Sequence, residues 1–557
     1  MASLVWCHGV GVWLKQTTPQ SSLCSNTHSH CTCSDEETLT LTFGFGHQMF
    51  LHPLFDEYDG LLRRFLLSIV LRDPPSDAAL HEPSSLTPLL QIAQTLQDFV
   101  NETSDSVELQ QDKLLGGLLA DGFDDEETCL SRYQSAMYYH KGLSEKPSSY
   151  LISRLRKYEA QHKQCGPYTE SYNKTVEQLR SGAQFTESSE CKYVLWISFS
   201  GLGNRILTLA SAFLYALLTN RVLVVDPGTD MVDLFCEPFP DSSWFLPSDF
   251  PLNVQFNNFS QNSDQCYGKM LKNKAVTDST VASFVYLHIA RDYDDHDKLF
   301  FCDEEQRFLR NVPWLMMKTD NYFVPYVLLM PSFEQELNDL FPNKETVFHF
   351  LGRYLLHPTN NVWGLVVRYY QAYLAKADER VGIQIRVFDT KPGPFQHKKN
   401  ILPDVNHQQD ATNSSGIPKS RAVLMTSLNS GYFEKVRDIY WEFPTVTGEA
   451  VGVYQPSHEG YQQTQKQMHN QKAWAEMYLL SLTDVLATSS WSTFGYVAHG
   501  LGGLKLRILY KPENRTVPDP PCPCAMSMEP CFHAPPFFNC KAKRGTYTGE
   551  LVPCEAL

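Results

Sequence analysis

Residues 1–110 contain no run of about 20 apolar residues, so no membrane-spanning helix is readable there. The best apolar run, residues 61–71, is interrupted by Arg63 and Arg64 and is too short to span. His8, Lys15 and Gln16 break the first apolar stretch, which argues against a cleavable leader. Paired Cys-x-x-Cys knuckles are also missing from a chain with 15 cysteines, which argues against a zinc site and for disulfides. Excess positive charge is lacking too: a net charge of −15 excludes nucleic acid as a general partner.

What is present belongs to a globular protein. A length of 557 residues with 43% hydrophobic content can hold two or more cores. Five cysteines, Cys522, Cys524, Cys531, Cys540 and Cys554, crowd the C-terminus among prolines and read as disulfide partners in a secretory compartment. Sequons at Asn101, Asn173, Asn258, Asn413 and Asn514 agree with a lumenal location.

Residues 1–111 are assigned no fold, and order is expected from Asp112. Short helices are expected over 150–159 and 176–179, on either side of a turn at Cys165-Gly-Pro167. A βαβ unit follows. Tyr193-Val-Leu-Trp-Ile-Ser-Phe199 is a strand and Ser200-Gly-Leu-Gly-Asn-Arg205 a glycine turn. Ile206, Leu209, Phe213 and Leu217 share one helical face, and residues 221–226 form the next strand. Gly201 and Gly203 would let backbone approach a ligand, and the following helix start would favour an anion. The third glycine of the dinucleotide fingerprint is absent, so the turn is not of that kind.

Residues 244–371 mix aromatic runs with polar turns and yield no element order. Asp292-Tyr-Asp-Asp-His-Asp297 reads as a solvated acidic loop, with a metal site as the sharper alternative. Asp320 precedes an aromatic run, where partial burial could suit a general base; a capping carboxylate is the plainer alternative.

The last third forms a second α/β unit. Val381-Gly-Ile-Gln-Ile-Arg-Val-Phe-Asp389 alternates β-branched residues and delivers Arg386 at its end. A guanidinium so placed needs a partner: a phosphate pair at the carboxyl end of a strand, or an internal carboxylate such as Asp389. A helix over 431–441, a strand over 451–454 and a polar loop with Gln455, Ser457, His458 and Glu459 come next. A helix over 465–482 and a strand over 484–487 follow. Ser489, Ser490, Ser492 and Thr493 then open a helix ending at Gly500, an anion site or an ordinary N-cap by Ser492. Residues 504–510 close the sheet.

The blocks Ser200-Gly-Leu-Gly-Asn-Arg205, residues 381–389 and Ser489-Ser-Trp-Ser-Thr-Phe-Gly495, with Leu114-Leu-Gly-Gly-Leu-Leu-Ala and Pro147-Ser-Ser-Tyr-Leu-Ile-Ser-Arg154, resemble the plant xyloglucan fucosyltransferase family from Asp112 onward. The resemblance implies an α/β protein with two Rossmann-like lobes in a GT-B-like arrangement. Four regions follow: 1–111, an N-terminal lobe at 112–370 on the acceptor side, a nucleotide-sugar lobe at 371–515 and a Cys/Pro-rich extension at 516–557. It implies an inverting transfer of fucose from GDP-fucose to a galactose or arabinose residue of a cell-wall glycan, xyloglucan or arabinogalactan protein, with no metal and no other cofactor. Arg386 would neutralise the diphosphate and Asp320 would serve as base, with His458 and Asp297 as alternatives. Gly201, Gly203, Asn204, Arg205, Tyr454, His458, Ser489, Ser490, Ser492 and Thr493 would bind the donor. A Golgi stack membrane location and a homodimer or wall-synthesis complex are also implied. The competing reading is a silent GDP-sugar- or glycan-binding subunit.

Overall fold

The computed structural model describes residues 112–386 and 420–509, each with short breaks, segments 523–530 and 540–541, and four short strands before residue 51. Asp389, Cys522, Cys531, Cys554, Asn101, Asn413, Asn514 and the apolar run at 61–71 lie outside the described residues.

Two parallel sheets organise the chain. The first contains β1 (Tyr193–Ile197), β2 (Val222–Asp226), β3 (Phe284–Ile289) and β4 (Trp314–Thr319), in the order β2-β1-β4-β3. The second contains β5 (Glu379–Ile385), β6 (Ser420–Ser427), β7 (Ala450–Tyr454), β8 (Val485–Ser489) and β9 (Arg507–Leu509), in the order β7-β6-β5-β8-β9. All pairings within both sheets are parallel, which requires helical crossovers and buries both faces. These are the two Rossmann-like lobes expected from the sequence.

Helices cover the sheets. α1 (Ser149–Cys165) and α2 (Glu170–Ser181) are longer than the short helices expected. The Ser148 hydroxyl caps α1 by accepting from the amide of Leu151 at 3.0 Å. α3 (Leu202–Leu218) follows the glycine turn and is buried at 14 of its 17 residues, far more than the single apolar face read from sequence. α4 (Val347–Leu355), α5 (Asn360–Tyr369), α6 (Gly431–Glu442), α7 (Gln467–Ser481) and α8 (Thr493–Gly502) complete the framework. One apolar cluster runs through α3, α4, α5, α7 and α8, so the lobes share a core.

Among the described residues three disulfides join distant segments, Cys129–Cys236, Cys165–Cys191 and Cys302–Cys540, while Cys524, expected as a disulfide partner, is a free exposed thiol. The tail bearing Cys540 thus returns to the first lobe. Cys302→Ser opens a loop of 238 residues, and chain entropy sets the expected loss at about 5 kcal/mol. A fall in Tm with intact tertiary structure at low temperature would bear this out; an unchanged Tm would refute it. Asn173 and Asn258 are both exposed, as glycan acceptors must be.

Candidate functional site

Strand order brings the candidate residues together. In the first sheet β1 lies between β2 and β4, and β3 lies outside β4. The carboxyl ends of β1, β4 and β3 therefore present, side by side, the Ser200–Arg205 turn, Asp320 and Arg291. In the second sheet β5 is central, so Arg386 emerges between the ends of β6 and β8. A crevice outside such strand ends is where α/β sheets bind ligands.

The two lobes meet there at two helix N-termini. Thr493, first residue of α8, donates from its hydroxyl to Asn204 Oδ1 in the first turn of α3 at 2.8 Å. Gly203 allows that approach. A Cβ on it would stand 2.7 Å from Thr493 Oγ1 and 2.9 Å from the Thr493 carbonyl carbon. The opposing helix thus gives a reason for glycine at 203 in addition to the ligand approach expected. At Gly201 a Cβ would meet nothing closer than Gln462 Nε2 at 3.7 Å. Gly203→Ala is accordingly expected to weaken lobe contact and lower both Tm and activity, whereas Gly201→Ala leaves Tm nearly unchanged; equal Tm values for the two variants would refute the assignment.

Both turns into these helices carry a non-glycine residue at positive φ: Ser200 at 70° and Trp491 at 63°. Such backbone costs about 1–3 kcal/mol and persists where surrounding structure imposes it. Here it aims the N-termini of two helices, with their partial positive charge, toward one crevice. Ser492 makes no capping bond to α8, so the ordinary-cap alternative does not hold. Ser489 is committed to structure, accepting from the Arg386 amide at 3.0 Å. Ser490 and Ser492 are buried beside it.

Arg386 is half-buried, and its Nη2 donates to Gln462 Oε1 at 3.1 Å. Gln462 thereby stands between Arg386 and Gly201, a position that reading along the chain did not single out. Arg205 is paired with Asp230 at 2.6 Å, and its buried Nε has no partner among the described residues. Asp230 in turn accepts from Asn470 Nδ2 of α7 at 3.0 Å, a second bond between the lobes.

Asp320 is buried at the end of β4. Its Oδ1 accepts from the Arg291 amide at 2.8 Å and its Oδ2 from Arg291 Nε at 3.0 Å. A base role therefore requires one oxygen to pass from Arg291, whose side chain is 69% exposed and able to move, to an incoming hydroxyl. Asn204 Nδ2 contacts the Asp320 carbonyl at 3.3 Å, joining this carboxylate to the two helix starts. Asp297 is spent elsewhere, accepting from Gln261 Nε2 and the Asp294 amide, both at 3.0 Å. The acidic loop around it satisfies itself through His288–Asp292 and Lys298–Asp295 pairs. Among the described residues no group of three or more His, Cys, Asp or Glu is arranged to hold a metal.

The loop after β7 lines the other side. His458 is exposed against Phe433, and Tyr454 packs on Tyr373 with ring centroids 4.9 Å apart. Gln455 Nε2 donates to the carbonyls of Ser427 and Ser457, while Gln455 Oε1 is a buried acceptor with no partner among the described residues. Ser457 donates to Glu476 Oε1 of α7 at 2.5 Å, which anchors the loop. Burial pushes the Glu476 carboxyl from 4.5 up to about 7, opposed by the Ser457 hydroxyl and reinforced by Glu459. The folded state therefore binds the proton more tightly, and the stability Glu476 contributes is complete below pH 4.5 and lost as pH rises through 7. Glu476→Gln should flatten the decline of Tm across that window; an unchanged slope would refute it.

A profile of the xyloglucan fucosyltransferase family matches residues 88–541. A galactoside 2-alpha-L-fucosyltransferase of Pisum sativum is 77% identical over 499 residues, covering 88% of this chain and 87% of the relative. The Arabidopsis thaliana protein of the same name is 62% identical, covering 80% and 81%. A solved structure of an Arabidopsis thaliana FUT1 mutant in complex with GDP superposes with a TM-score of 0.71 at 61% identity, covering 80% of this chain and 98% of that one.

Proposed function

This chain belongs to the xyloglucan fucosyltransferase family and is a glycosyltransferase, and on that basis we propose that it moves L-fucose from GDP-fucose to O2 of a galactose residue in xyloglucan, with inversion and without a metal. The observation that carries the chemistry is the convergence of Arg386 with two helix N-termini at one crevice. As the bond between fucose C1 and the β-phosphate oxygen breaks, both electrons leave with GDP, and negative charge grows on the diphosphate. A fixed guanidinium and aligned amides act on that growing charge more than on the ground state. With this positive field supplied by protein groups, no metal is required to neutralise the leaving group. The acceptor hydroxyl oxygen forms the new bond to C1 from the opposite face, and its proton passes to Asp320. Arg205, Gln462, Ser490 and Ser492 surround the donor phosphates, and Tyr454 with the His458 loop faces the nucleoside. The relative's name specifies a galactoside and the 2-position, which favours xyloglucan galactose over arabinose.

The test is transfer by the purified enzyme from GDP-fucose to galactosylated xyloglucan and to arabinogalactan oligosaccharides, in EDTA and followed by mass and linkage analysis. An α-1,2-fucosylated galactose in EDTA supports the proposal, whereas activity on arabinose alone or only with added metal overturns that part. GDP binding without transfer to any acceptor would favour the silent-subunit reading.

We propose a Golgi lumen location on the strength of three disulfides and two exposed sequons. No helix among the described residues is long and apolar enough to cross a membrane. Sensitivity of the protein from plant cells to a glycosidase that removes N-glycans would support a secretory route; a carbohydrate-free protein would count against it.

A further inference from the structure

Glu529 lies in the tail segment 523–530, yet its carboxylate is buried in the first lobe at 2% exposure. Oε2 accepts from the Tyr322 hydroxyl at 2.6 Å, and Oε1 accepts from the amide of Phe348 at 2.7 Å. These partners are 207 and 181 residues away in sequence. Burying a carboxyl group is costly unless its oxygens are satisfied, so the placement is specific. Anchoring the tail does not by itself call for it. The Cys302–Cys540 disulfide already does so, as does the bond from the Ile508 amide to the Pro523 carbonyl at 3.0 Å.

Both partners of Glu529 lead to the crevice. Tyr322 is 1% exposed and stands two residues after Asp320. The same turn is held by the Phe323 amide donating to Ser211 of α3 at 3.2 Å and by Asn204 Nδ2 on the Asp320 carbonyl. Phe348 is in the first turn of α4, which backs α8. There is no room for a Cβ on Gly500 of α8 beside the Phe348 ring, and His349 Nδ1 meets the Gly500 carbonyl at 3.0 Å. A continuous set of contacts thus runs from the tail carboxyl through Tyr322, the Asp320 turn and Asn204 to Thr493, and returns through α8 and α4.

We propose that Glu529 is a positioning residue for fucosyl transfer, fixing from outside the crevice both the turn that presents Asp320 and the helix that backs the start of α8. The inference rests on the reading of Asp320 as the acceptor-side carboxylate. Burial also pushes Glu529 up to about 8, with Glu345 reinforcing and the Tyr322 hydroxyl and the amides of Phe348 and Val347 opposing. A glutamine keeps the size of the side chain and both contacts: its carbonyl accepts from the Phe348 amide as the carboxyl oxygen does, and its amide nitrogen donates to the Tyr322 oxygen, so only the direction of that one bond is reversed.

Glu529→Ala, Glu529→Gln and Tyr322→Phe would be made in the full chain, with kcat, KM for each substrate, GDP affinity and Tm measured for each. Glu529→Ala should lower kcat about 10-fold with GDP affinity unchanged, because misplacement of a reacting group acts on the chemical step. Tyr322→Phe, which keeps the ring and its packing, should lower kcat in the same direction, and combining it with Glu529→Ala should add little. Glu529→Gln should restore kcat. A lower Tm with kcat intact, or a glutamine variant as slow as the alanine one, overturns the proposal. Asp320→Asn measured alongside separates the two readings. If its kcat is that of the wild type, the Asp320 reading has failed. A loss in Asp320→Asn with none in Glu529→Ala overturns the positioning role alone.

Discussion

Arg386→Ala is expected to lower kcat/KM for fucosyl transfer by about 10²–10³-fold, the effect of deleting one preorganised group that stabilises transition-state charge. The substitution leaves the strand intact. Ile383 and Ile385 are buried in the core of the second lobe, and the Arg386 amide retains its bond to Ser489, which the side chain does not make. The side chain is only half-buried and reaches Gln462, so its removal opens no core cavity. Arg386→Lys should recover part of the loss, since a lysine supplies a point charge without the planar fork that binds phosphate oxygens in pairs. Steady-state kinetics with GDP-fucose and a galactosylated acceptor, beside circular dichroism to confirm folding, checks this. A folded Arg386→Ala enzyme within a few-fold of wild type would remove Arg386 from the mechanism.

Asp320→Asn is expected to lower kcat about 10²-fold, toward the lower end for loss of a general base, while GDP affinity stays the same. Asparagine is isosteric and its carbonyl oxygen still accepts from the Arg291 amide, so the turn keeps its shape. The paired charge on Arg291 Nε and the capacity to take a proton are lost. Turnover should be reduced and not abolished, because in the proposed mechanism the leaving group is stabilised by groups that this change does not touch. Wild-type kcat in the variant would sink the base assignment. A parallel loss of GDP affinity would place Asp320 on the donor side.

Much of the framework was readable before the structure, because local chemistry specifies it. Alternating β-branched residues before Arg386 and the apolar run before Ser200 mark the starts of β5 and β1 within two residues. The strands β3 and β4 went unread for a physical reason. They are buried almost without interruption and show no alternation, and, unlike the equally buried β1, they are followed by no glycine turn and apolar helical face that would mark them as strands. With β4 unseen, Asp320 could be recognised only by its aromatic flank, and its position at a strand's carboxyl end was invisible.

Residue type and spacing by themselves determined two α/β units, two polar turns leading into helices, a cation at the end of a strand and a cysteine-rich tail. Each follows from interactions within about ten residues, where side-chain period and glycine placement dictate geometry. Tertiary structure alone decided the rest. The order of strands put Arg291 beside Asp320, the meeting of two helix starts assigned Gly203 to Thr493, and the path of the tail buried Glu529 against Tyr322. Those contacts join residues up to about 290 positions apart. No local pattern encodes them, since they depend on how separately formed elements pack to share one core.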